Sequence, residues 1–473
     1  MLRYRIIFLL IFLLPVACAM GPDYIRPELM LPPASDNASV HAPFTAADWW
    51  KLFNDPTLDR IENEALIYNR DLKIAMARVD EARALARIVL ADRLPAVGIG
   101  ADAGRGRFLK EAAIPNRSRT RETFDAFGFA SFELDLWGKY RRLDEAARAE
   151  LLATRSARDA VQLTLTADVA TLYFYLRTLE TQTRIARDHL ETYDKSCELY
   201  RKRYRAGYIQ ELDLRRIEAD RLETKALVYR RENALSQAGT ALAMLLGRSP
   251  RDIVQGFSEE GKTLEQLSTF PCIPENIPSD LLSRRPDIRR DEGILMAANA
   301  RIGAARAAFF PSINLTGQYG FISSDFQNLF TDSTNVWNMA GALTQPIFEG
   351  GRLYAREKAA KARQKQMLAR YEQTVQNAFR ETRDALVAGT KITQALDASL
   401  KRAQAMRRSL VLSQKQHAYG HISMIDELDI QRRSLLAELE LSYARQNQLD
   451  TVIALCRAMG GGWHAQTGFS QTP

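Results

Sequence analysis

Two apolar rows run along the chain between about residues 140 and 205, each with a spacing of seven residues. Such rows, continued for about five heptads, predict a helix with a coiled-coil seam. One row consists of Leu165, Leu172, Leu179, Ala186, Tyr193 and Tyr200, and the other of Val169, Leu176, Thr183, Leu190, Cys197 and Tyr204. About 65 helical residues extend roughly 100 Å, which is too long for a globular domain. The pattern therefore predicts an extended helical structure, and a soluble antiparallel coiled-coil rod would also show it.

Four shorter segments alternate apolar and polar residues, which is typical of β-strands. In residues 124–136, one face carries Phe124, Ala126, Ala130, Phe132, Leu134 and Leu136, and the other Asp125, Ser131, Glu133 and Asp135. Residues 311–323 alternate in the same way, and residues 95–107 and 335–347 do so more weakly. Strands of about this length cross an outer membrane when they are tilted. A soluble sandwich would show the same alternation.

The chain is an internal duplication. Landmarks of its two halves recur at nearly one offset, namely Gly207 and Gly420, Gly247 and Gly460, and Pro95 and Pro311. Each half predicts a helix, a strand, a loop, a strand, a very long helix, a glycine break and a further helix. The last helix of the second half has its own apolar seam, formed by Ile425, Leu428, Leu435, Leu439, Leu449, Ile453 and Cys456.

This order predicts the following division of the chain. A signal peptide (1–17) and an N-terminal arm (18–57) precede the first repeat (58–247), a linker (248–279), the second repeat (280–462) and a tail (463–473). The linker contains four prolines, which separate the two helical repeats.

Four strands in one chain cannot close a membrane barrel, because even small barrels use about eight. Open sheet edges are not tolerated in lipid. Several copies must therefore share one barrel, and three copies give twelve strands. The predicted fold class is an α+β membrane protein with long helices and a trimeric twelve-stranded β-barrel.

The N-terminus predicts export and lipidation. Arg3 and Arg5 precede a short apolar run and small residues, as in a secretory signal peptide. Cys18 follows Ala17 directly, which suits a lipoprotein signal whose thiol is acylated, although Pro15 departs from the usual lipobox leucine. We therefore expect a lipid, such as palmitate, on Cys18 and an anchor in the outer membrane. An ordinary cleaved signal peptide is the alternative.

Charge and motifs argue against catalysis and nucleic-acid binding. The formal charge of +8 comes from basic residues that alternate with acidic ones along helical stretches, as on solvated helix faces. The sequence has no phosphate loop, HExxH, nucleophile elbow or paired CxxC. We expect no enzyme activity, no cofactor, no metal site and no nucleic-acid partner. The widely spaced Cys197, Cys272 and Cys456 do not form a disulfide framework, and packed free thiols are expected at 197 and 456.

Three motifs resemble those of TolC-type outer-membrane efflux proteins, in particular the lipoprotein subgroup that serves resistance-nodulation-division (RND) pumps. They are GPDYIRP (21–27), WWKLFNDPTLDRIENEAL (49–66) and LLSRRPDIRRDE (281–292). The resemblance covers essentially the whole mature chain. It implies a trimeric twelve-stranded β-barrel in the outer membrane, continued by a long α-helical barrel through the periplasm. It also implies a mixed equatorial zone, built from the linker and the termini. It also implies two partners, a periplasmic adaptor and an inner-membrane RND transporter, and a passive, gated conduit that exports drugs or other toxic small molecules.

The third motif also has a local interpretation. Pro286 biases Arg285 away from the helical region, and Asp287 is then placed to cap the next helix. We expect the motif's arginines to form surface salt bridges.

The glycine breaks predict two turns, which we call the first tip (207–210) and the second tip (420–423). Glycine ends a helix readily because it adopts the left-handed conformation. The resemblance implies that these turns contact the adaptor through Gly207, Tyr208, Ile209 and Gln210 and through Gly420, His421, Ile422 and Ser423.

An acidic segment follows the second tip. Asp426 and Asp429 are three residues apart and therefore share one helix face, whereas Glu427 points elsewhere. The segment resembles the family's gate, which implies two rings of three aspartates around the axis of a trimer. Carboxylates packed in this way repel unless they are hydrated or bind cations. Two exposed aspartates that offset the helix dipole are the alternative.

Two other functions are compatible with the pattern. The first is an outer-membrane conduit for type I protein secretion, and the second is a periplasmic coiled-coil scaffold or adaptor without a channel. An adaptor would require lipoyl-like and β-barrel segments, which the two alternating strand pairs do not resemble.

Overall fold

The structure is a computed structural model of the chain, and it describes residues 19–30, 47–107, 120–257, 260–267 and 284–461. The helices are α1 (Pro56–Tyr68), α2 (Arg70–Ala91), α3 (Lys139–Arg205), α4 (Glu211–Leu245), α5 (Pro250–Gln255), α6 (Pro286–Ala307), α7 (Arg352–Ala418) and α8 (Met424–Ala458). The strands are β1 (Ala96–Arg107), β2 (Thr120–Glu133), β3 (Ser312–Ser323) and β4 (Asn335–Thr344). Short 3-10 helices lie at Trp49–Phe53, Phe326–Asn328 and Asp332–Thr334. Among these helices, none has the length and apolar character needed to cross a membrane.

The internal duplication is visible in the equal lengths of corresponding helices. The long helices α3 and α7 each have 67 residues, and the helices that follow them, α4 and α8, each have 35. Gly207 and Gly420 separate the members of each pair, and both have a φ of 75°. Gly247 and Gly460 end α4 and α8 with φ values of 70° and 74°. One offset of 213 residues therefore relates the two helix pairs and the glycines that end them.

The chain divides into two compact units, and each unit takes residues from both halves of the sequence. The first unit contains the described residues up to Leu29, Arg78–Thr154 and Arg290–Glu372, and the second contains the described residues of Met30–Ala77, Arg155–Arg289 and Gln373–Pro473. The predicted limits of the arm, repeats, linker and tail stay a prediction, because matched helices establish an offset and not the limits of a domain.

All four strands lie in one antiparallel sheet, in the order β1-β2-β3-β4. The central contact joins the two repeats, because β2 pairs with β3 from Phe124 opposite Ser323 to Glu133 opposite Asn314. β1 and β4 form the edges, and within the described residues each has a strand neighbour on one side only. The two strand pairs predicted from the sequence therefore form a single four-stranded sheet, with two edges free to pair with other copies.

The register of the strands places apolar and polar residues on opposite faces. The apolar face includes Val97, Ile99, Ala130, Phe132, Leu315, Tyr319, Trp337, Met339 and Leu343, and the polar face includes Asp125, Ser131, Asn314, Thr316, Gln318 and Asn338. Phe127 and Phe129 also lie on the polar face, opposite Gly100 and Gly98. A Cβ atom added at Gly98 would lie 2.5 Å from Cζ of Phe129, so the absence of side chains at these glycines makes room for the rings.

Two strands differ from their predicted bounds by more than one residue. β2 covers Thr120–Glu133 and not 124–136, because the next residues build the start of α3. The carboxylate of Asp135 accepts hydrogen bonds from the backbone N–H groups of Tyr140 (3.1 Å) and Arg141 (2.9 Å). β4 ends at Thr344 and not at 347, which agrees with the inability of Pro346 to donate a hydrogen bond to a neighbouring strand.

Within the second unit, the predicted seam of α3 is buried from Leu165 to Tyr200, with Leu172 and Leu190 partly buried. It ends one turn early, because Tyr204 is 40% exposed in the last turn of α3. The seam of α8 begins at Leu428, since Ile425 is exposed. The main core packs the 3-10 helix Trp49–Phe53 and α1 against α3, α4 and α8. Cys197 and Cys456 are free and buried in this unit, and Cys272 lies outside the described residues.

The RRPD motif departs from its predicted role. α6 begins at Pro286, so Asp287 lies inside the first turn and does not cap the helix from outside. Arg285 is buried and donates to both carboxylate oxygens of Asp287, at 3.1 and 2.7 Å. It also donates to Glu381 (2.8 Å) and to the carbonyl of Ala458 (3.1 Å). The expected surface salt bridge is therefore a buried arginine that joins α6, α7 and the end of α8 within the second unit.

In the first unit, the N-terminal segment is held by charged and polar contacts. Arg26 forms a bidentate pair with Glu292, with both distances 2.7 Å. Arg142 donates to Asp23 (2.7 Å) and to the carbonyl of Met20 (3.1 Å). A Cβ at Gly303 would lie 2.3 Å from the Met20 carbonyl oxygen, so this glycine lets the segment approach closely. The arm motif and the RRPD segment thus meet through the Arg26–Glu292 ion pair.

One carboxyl group in the second unit is buried without a hydrogen bond from any described residue. Glu62 on α1 is fully buried, and neither of its carboxylate oxygens has a hydrogen-bond partner among the described residues. Burial, with a smaller effect of Asp59, raises the pKa of Glu62 well above its ordinary value. A raised carboxyl pKa means that the folded state holds a proton that the unfolded state releases. Stability is therefore highest below the ordinary pKa, near 4.5, and falls as the pH rises toward the folded pKa.

We expect Glu62→Gln to stabilise the protein at pH 7.5, because glutamine has no proton to take up on folding. The gain should be much smaller at pH 5. Thermal unfolding of the purified protein in detergent at both pH values measures this difference.

Glu64→Gln on the same helix is the control. Glu64 pairs with Arg248 at 2.8 and 2.9 Å, so its loss should destabilise the protein. An equal effect of Glu62→Gln at pH 5 and 7.5 would contradict the assignment of a protonated Glu62.

Candidate functional site

The two tips have the same backbone geometry. At the first tip, Gly207 N–H donates to the carbonyl of Tyr204 and Tyr208 N–H to that of Arg203, both at 2.9 Å. At the second tip, Gly420 N–H donates to His417 and His421 N–H to Gln416, both at 2.9 Å. This pair of bonds is the Schellman motif, which needs a left-handed residue at the glycine. The prediction that glycine ends both long helices is confirmed.

The tips present exposed side chains on rigid turns. Tyr208 is 81% exposed and Tyr419, next to the second glycine, is 79% exposed. Gln210, His421 and Ser423 are exposed as well. Ile209 is partly buried, and it packs on the cluster of Tyr193, Cys197, Tyr200, Leu214, Ile217, Met424 and Leu428. This cluster joins helices of both repeats directly behind the tips.

At the second tip, Asp426 takes part in a capping box that starts α8. Ser423 Oγ accepts a hydrogen bond from the Asp426 backbone N–H at 3.2 Å and donates one to its carboxylate at 2.6 Å. Ser423 N–H also donates to the Asp426 carboxylate at 3.3 Å. Gln210, the equivalent residue of the first tip, forms no side-chain cap. Asp426 therefore stabilises the helix start, and its side chain remains exposed in the chain.

Asp429, one turn further along α8, is paired with two arginines. Arg432 donates to one carboxylate oxygen at 2.9 Å, and Arg433 lies 2.7 Å from the other. The hydrogen bond from Arg432 and the nearby charge of Arg433 lower the pKa of Asp429 below its ordinary value. Asp429 thus stays ionised, with its charge partly balanced inside one chain.

Glu427 points away from the face that Asp426 and Asp429 share, as predicted. Its side chain lies close to His417, which the sequence did not place near it. Its side chain is 14% exposed, and its Oε2 lies 3.7 Å from Nδ1 of His417 at the end of α7. Burial raises the pKa of Glu427, and the nearby His417 and Arg203 partly offset that effect. The His417 ring also lies 2.8 Å from the hydroxyl of Tyr200 on α3.

The structure therefore brings some predicted residues together and adds others. Asp426 and Asp429 start the same helix, and Ser423 caps it. Arg432, Arg433, Tyr200 and Arg203 were not predicted as site residues, because their roles depend on helices that are distant in sequence. Only their position beside the glycine breaks could have indicated them.

Cys18, the predicted lipid-attachment residue, lies outside the described residues. Shortly after it, the Met20 N–H donates a hydrogen bond to the carbonyl of Trp137, which follows β2, at 3.1 Å.

Comparisons with known proteins agree with the described geometry. Residues 62–248 and 277–461 match the family described as outer membrane efflux protein. The cation efflux system protein CusC of Escherichia coli O6:H1 is 36% identical over 456 residues, which cover 94% of this chain and 96% of CusC. The toluene efflux pump outer membrane protein TtgC of Pseudomonas putida is 33% identical over 462 residues, which cover 95% of this chain and 94% of TtgC. The CmeC outer membrane channel of Campylobacter jejuni has a TM-score of 0.89 and 26% identity, over 95% of this chain and 96% of that one.

These findings confirm the predicted fold class and location. A trimeric β-barrel continued by an α-helical barrel is the fold of these outer-membrane channels. The channels are passive conduits and not enzymes, and they work together with other components of efflux systems. The periplasmic scaffold without a channel and the protein-secretion conduit are therefore not the functions that the matches indicate. The chain belongs to the outer membrane efflux protein family.

Proposed function

We propose that the chain forms the gated outer-membrane conduit of a tripartite RND pump, in which a periplasmic adaptor contacts the two tips. The observation that carries this proposal is the arrangement at the second tip. A rigid, exposed turn stands directly before a helix whose first two turns present Asp426 and Asp429. The turn that the adaptor would contact is therefore less than two helical turns away from the two carboxylates.

The acidic segment has the chemistry of a cation-preferring constriction. In a trimer, each aspartate is repeated three times around the axis, so carboxylates of like charge approach one another when the helices close. Arg432 and Arg433 reduce this repulsion at Asp429, and Asp426 has only neutral hydrogen-bond donors. The gate we propose is therefore closed by helix packing and opens when the α7–α8 pairs move apart.

The duplication offers an internal comparison for this gate. At the offset of 213 residues, Asp426 corresponds to Asp213 and Asp429 to Arg216. At these two positions the first repeat therefore has one acidic residue, Asp213, and one basic residue, Arg216. This asymmetry supports a gate at the second tip alone.

The proposal includes a lipid anchor at Cys18. Ala17 and Cys18 have the pattern of a lipoprotein signal. Met20, two residues later, is bound to the backbone of Trp137 between β2 and α3. A lipid on Cys18 would then enter the membrane near the ends of the strands.

We also propose that the exported compounds are small toxic solutes. CusC is named for cation efflux and TtgC for toluene efflux, and this chain resembles both over nearly its whole length. Relatives with such different solutes suit a wide, water-filled conduit whose selectivity is set by the transporter.

We expect Asp426→Ala/Asp429→Ala to enlarge the conductance of the purified protein in planar bilayers and to reduce its preference for cations. The physical reason is the loss of six carboxylates from the constriction of a trimer. Asp213→Ala at the first tip is the matched control, and it should behave like the wild type. Unchanged conductance and selectivity in the double variant would mean that these aspartates do not form the gate.

We expect a photo-crosslinking amino acid at Tyr208 or His421 to capture the adaptor in cells, because both side chains are exposed at the tips. Lys401, an exposed residue in α7 away from the tips, is the control position. Equal crosslinking at Lys401 and at the tips, or none at the tips, would speak against adaptor contact there.

A further inference from the structure

A histidine at the second tip connects three elements of the second unit. His417 lies in the last turn of α7, three residues before Gly420. Its Nε2 is 2.8 Å from the Tyr200 hydroxyl and 3.3 Å from Nη1 of Arg203, both on α3. Its Nδ1 is 3.3 Å from the carbonyl of Ile422 in the tip. The same nitrogen is 3.7 Å from Glu427 on α8.

These partners define the protonation state that fits the cluster. Arginine can only donate a hydrogen bond, so Nε2 must accept from Arg203. A carbonyl oxygen can only accept, so Nδ1 must carry the proton that points to Ile422. The Tyr200 hydroxyl can then also donate to Nε2. A neutral imidazole with its proton on Nδ1 fits these contacts, and the Tyr200 hydroxyl and Arg203 then share the single lone pair of Nε2.

The first tip has no such cluster among the described residues, although its backbone is the same. At the offset of 213 residues, His417 corresponds to Tyr204 and Glu427 to Leu214. Leu214 is buried in the apolar cluster behind the tip, where a hydrophobic residue is stable without a partner. Replacement of this leucine by a carboxylate costs stability unless a donor faces it. The second repeat therefore carries a partly buried polar pair where the first has apolar packing.

We propose that His417 is the positioning residue that holds the second tip and the acidic start of α8 against α3, and that protonation of His417 loosens this hold. Glu427 lies between Asp426 and Asp429 in the sequence, and Ile422 directly precedes the capping residue Ser423. A change in the charge or hydrogen bonds of His417 therefore affects both the second tip and the acidic segment. This inference rests on the proposed gate, to which it adds control by periplasmic pH.

The charges around His417 determine the direction of the effect. Arg203 on α3 faces Nε2, and Glu427 on α8 faces Nδ1. The Tyr200 hydroxyl on α3 also faces Nε2, at 2.8 Å. Burial, together with the charges of Glu427 and of Asp213 on α4, raises the pKa of Tyr200 to about 12. A second proton on the ring would sit on Nε2, where it faces the Arg203 guanidinium with a donor and a like charge. The imidazolium is then repelled from α3 and attracted to Glu427 on α8, so the link between α7 and α3 weakens.

Histidine ordinarily changes its charge between about pH 5 and 8, which is the range of the proposed response. The open fraction of single channels in planar bilayers, recorded at pH 7.5 and 5.5, tests it. We expect the wild type to open about tenfold more often at pH 5.5 than at pH 7.5, a change that corresponds to about 1.4 kcal/mol.

Two variants of His417 separate charge from packing. His417→Gln retains a donor and an acceptor but cannot take up a proton, so its open fraction should stay low at both pH values. His417→Phe lacks all of the hydrogen bonds and should open readily at both. His464→Gln, which removes a histidine of the predicted tail (463–473), is the control and should keep the wild-type response.

A His417→Gln channel with the same pH response as the wild type would overturn the inference, as would a wild type without any response. If His417→Phe fails to assemble into trimers, the comparison of His417→Gln with the wild type still tests whether the pH response depends on His417. The gate itself is judged separately by the Asp426→Ala/Asp429→Ala variant at pH 7.5 alone. The gate can therefore stand when the role of His417 fails, and the two failures are distinguishable.

Discussion

The burial of the seven-residue seam on α3 is the constraint on which the rest of the structure depends. A helix of 67 residues cannot fold back on itself, so its apolar row must be covered by other helices along its length. The seam residues Val169, Leu176 and Tyr193 are almost completely buried for this reason. Once the seam is covered, the turns at Gly207 and Gly420 must lie at the helix ends, and the side chains around them are held by a rigid support.

Duplication has preserved the backbone of the two tips while their chemistry has diverged. Both tips use the same glycine geometry and the same pair of backbone hydrogen bonds. The second tip differs in its side chains: Ser423 caps α8, Asp429 stands where the first repeat has Arg216, and Glu427 stands where it has Leu214. Of these differences, only Glu427 costs apolar packing, and Ser423 stabilises the start of α8. Their concentration in a few residues beside one turn is the physical reason to assign function to the second repeat.

Local patterns in the sequence predicted most of the fold, and the exceptions have a common cause. The heptad rows, the alternating strands and the glycine breaks each depend on neighbours within a few residues, so they could be recognised without coordinates. The buried pairing of Arg285 with Glu381 could not, because the partners are 96 residues apart. The cluster of Tyr200 and His417, 217 residues apart, was missed for the same reason. Of the candidate site, the sequence indicated the acids and the turns but not the bases and hydrogen-bond donors that control them.

The balance of charges at the second tip bears on how a partner could open it. An unpaired ring of aspartates would repel strongly, and a closed state would then require a large compensating energy from helix packing. Arg432 and Arg433 lie within 2.9 Å of Asp429, and the Asp426 carboxylate accepts bonds from Ser423, so each chain reduces the repulsion locally. In the proposed gate, this reduces the difference in free energy between the closed and open states, so that a partner with modestly unequal affinity for the two states could shift it. Because the tip and the acids belong to one rigid turn and helix start, force applied to the turn acts on the acids directly.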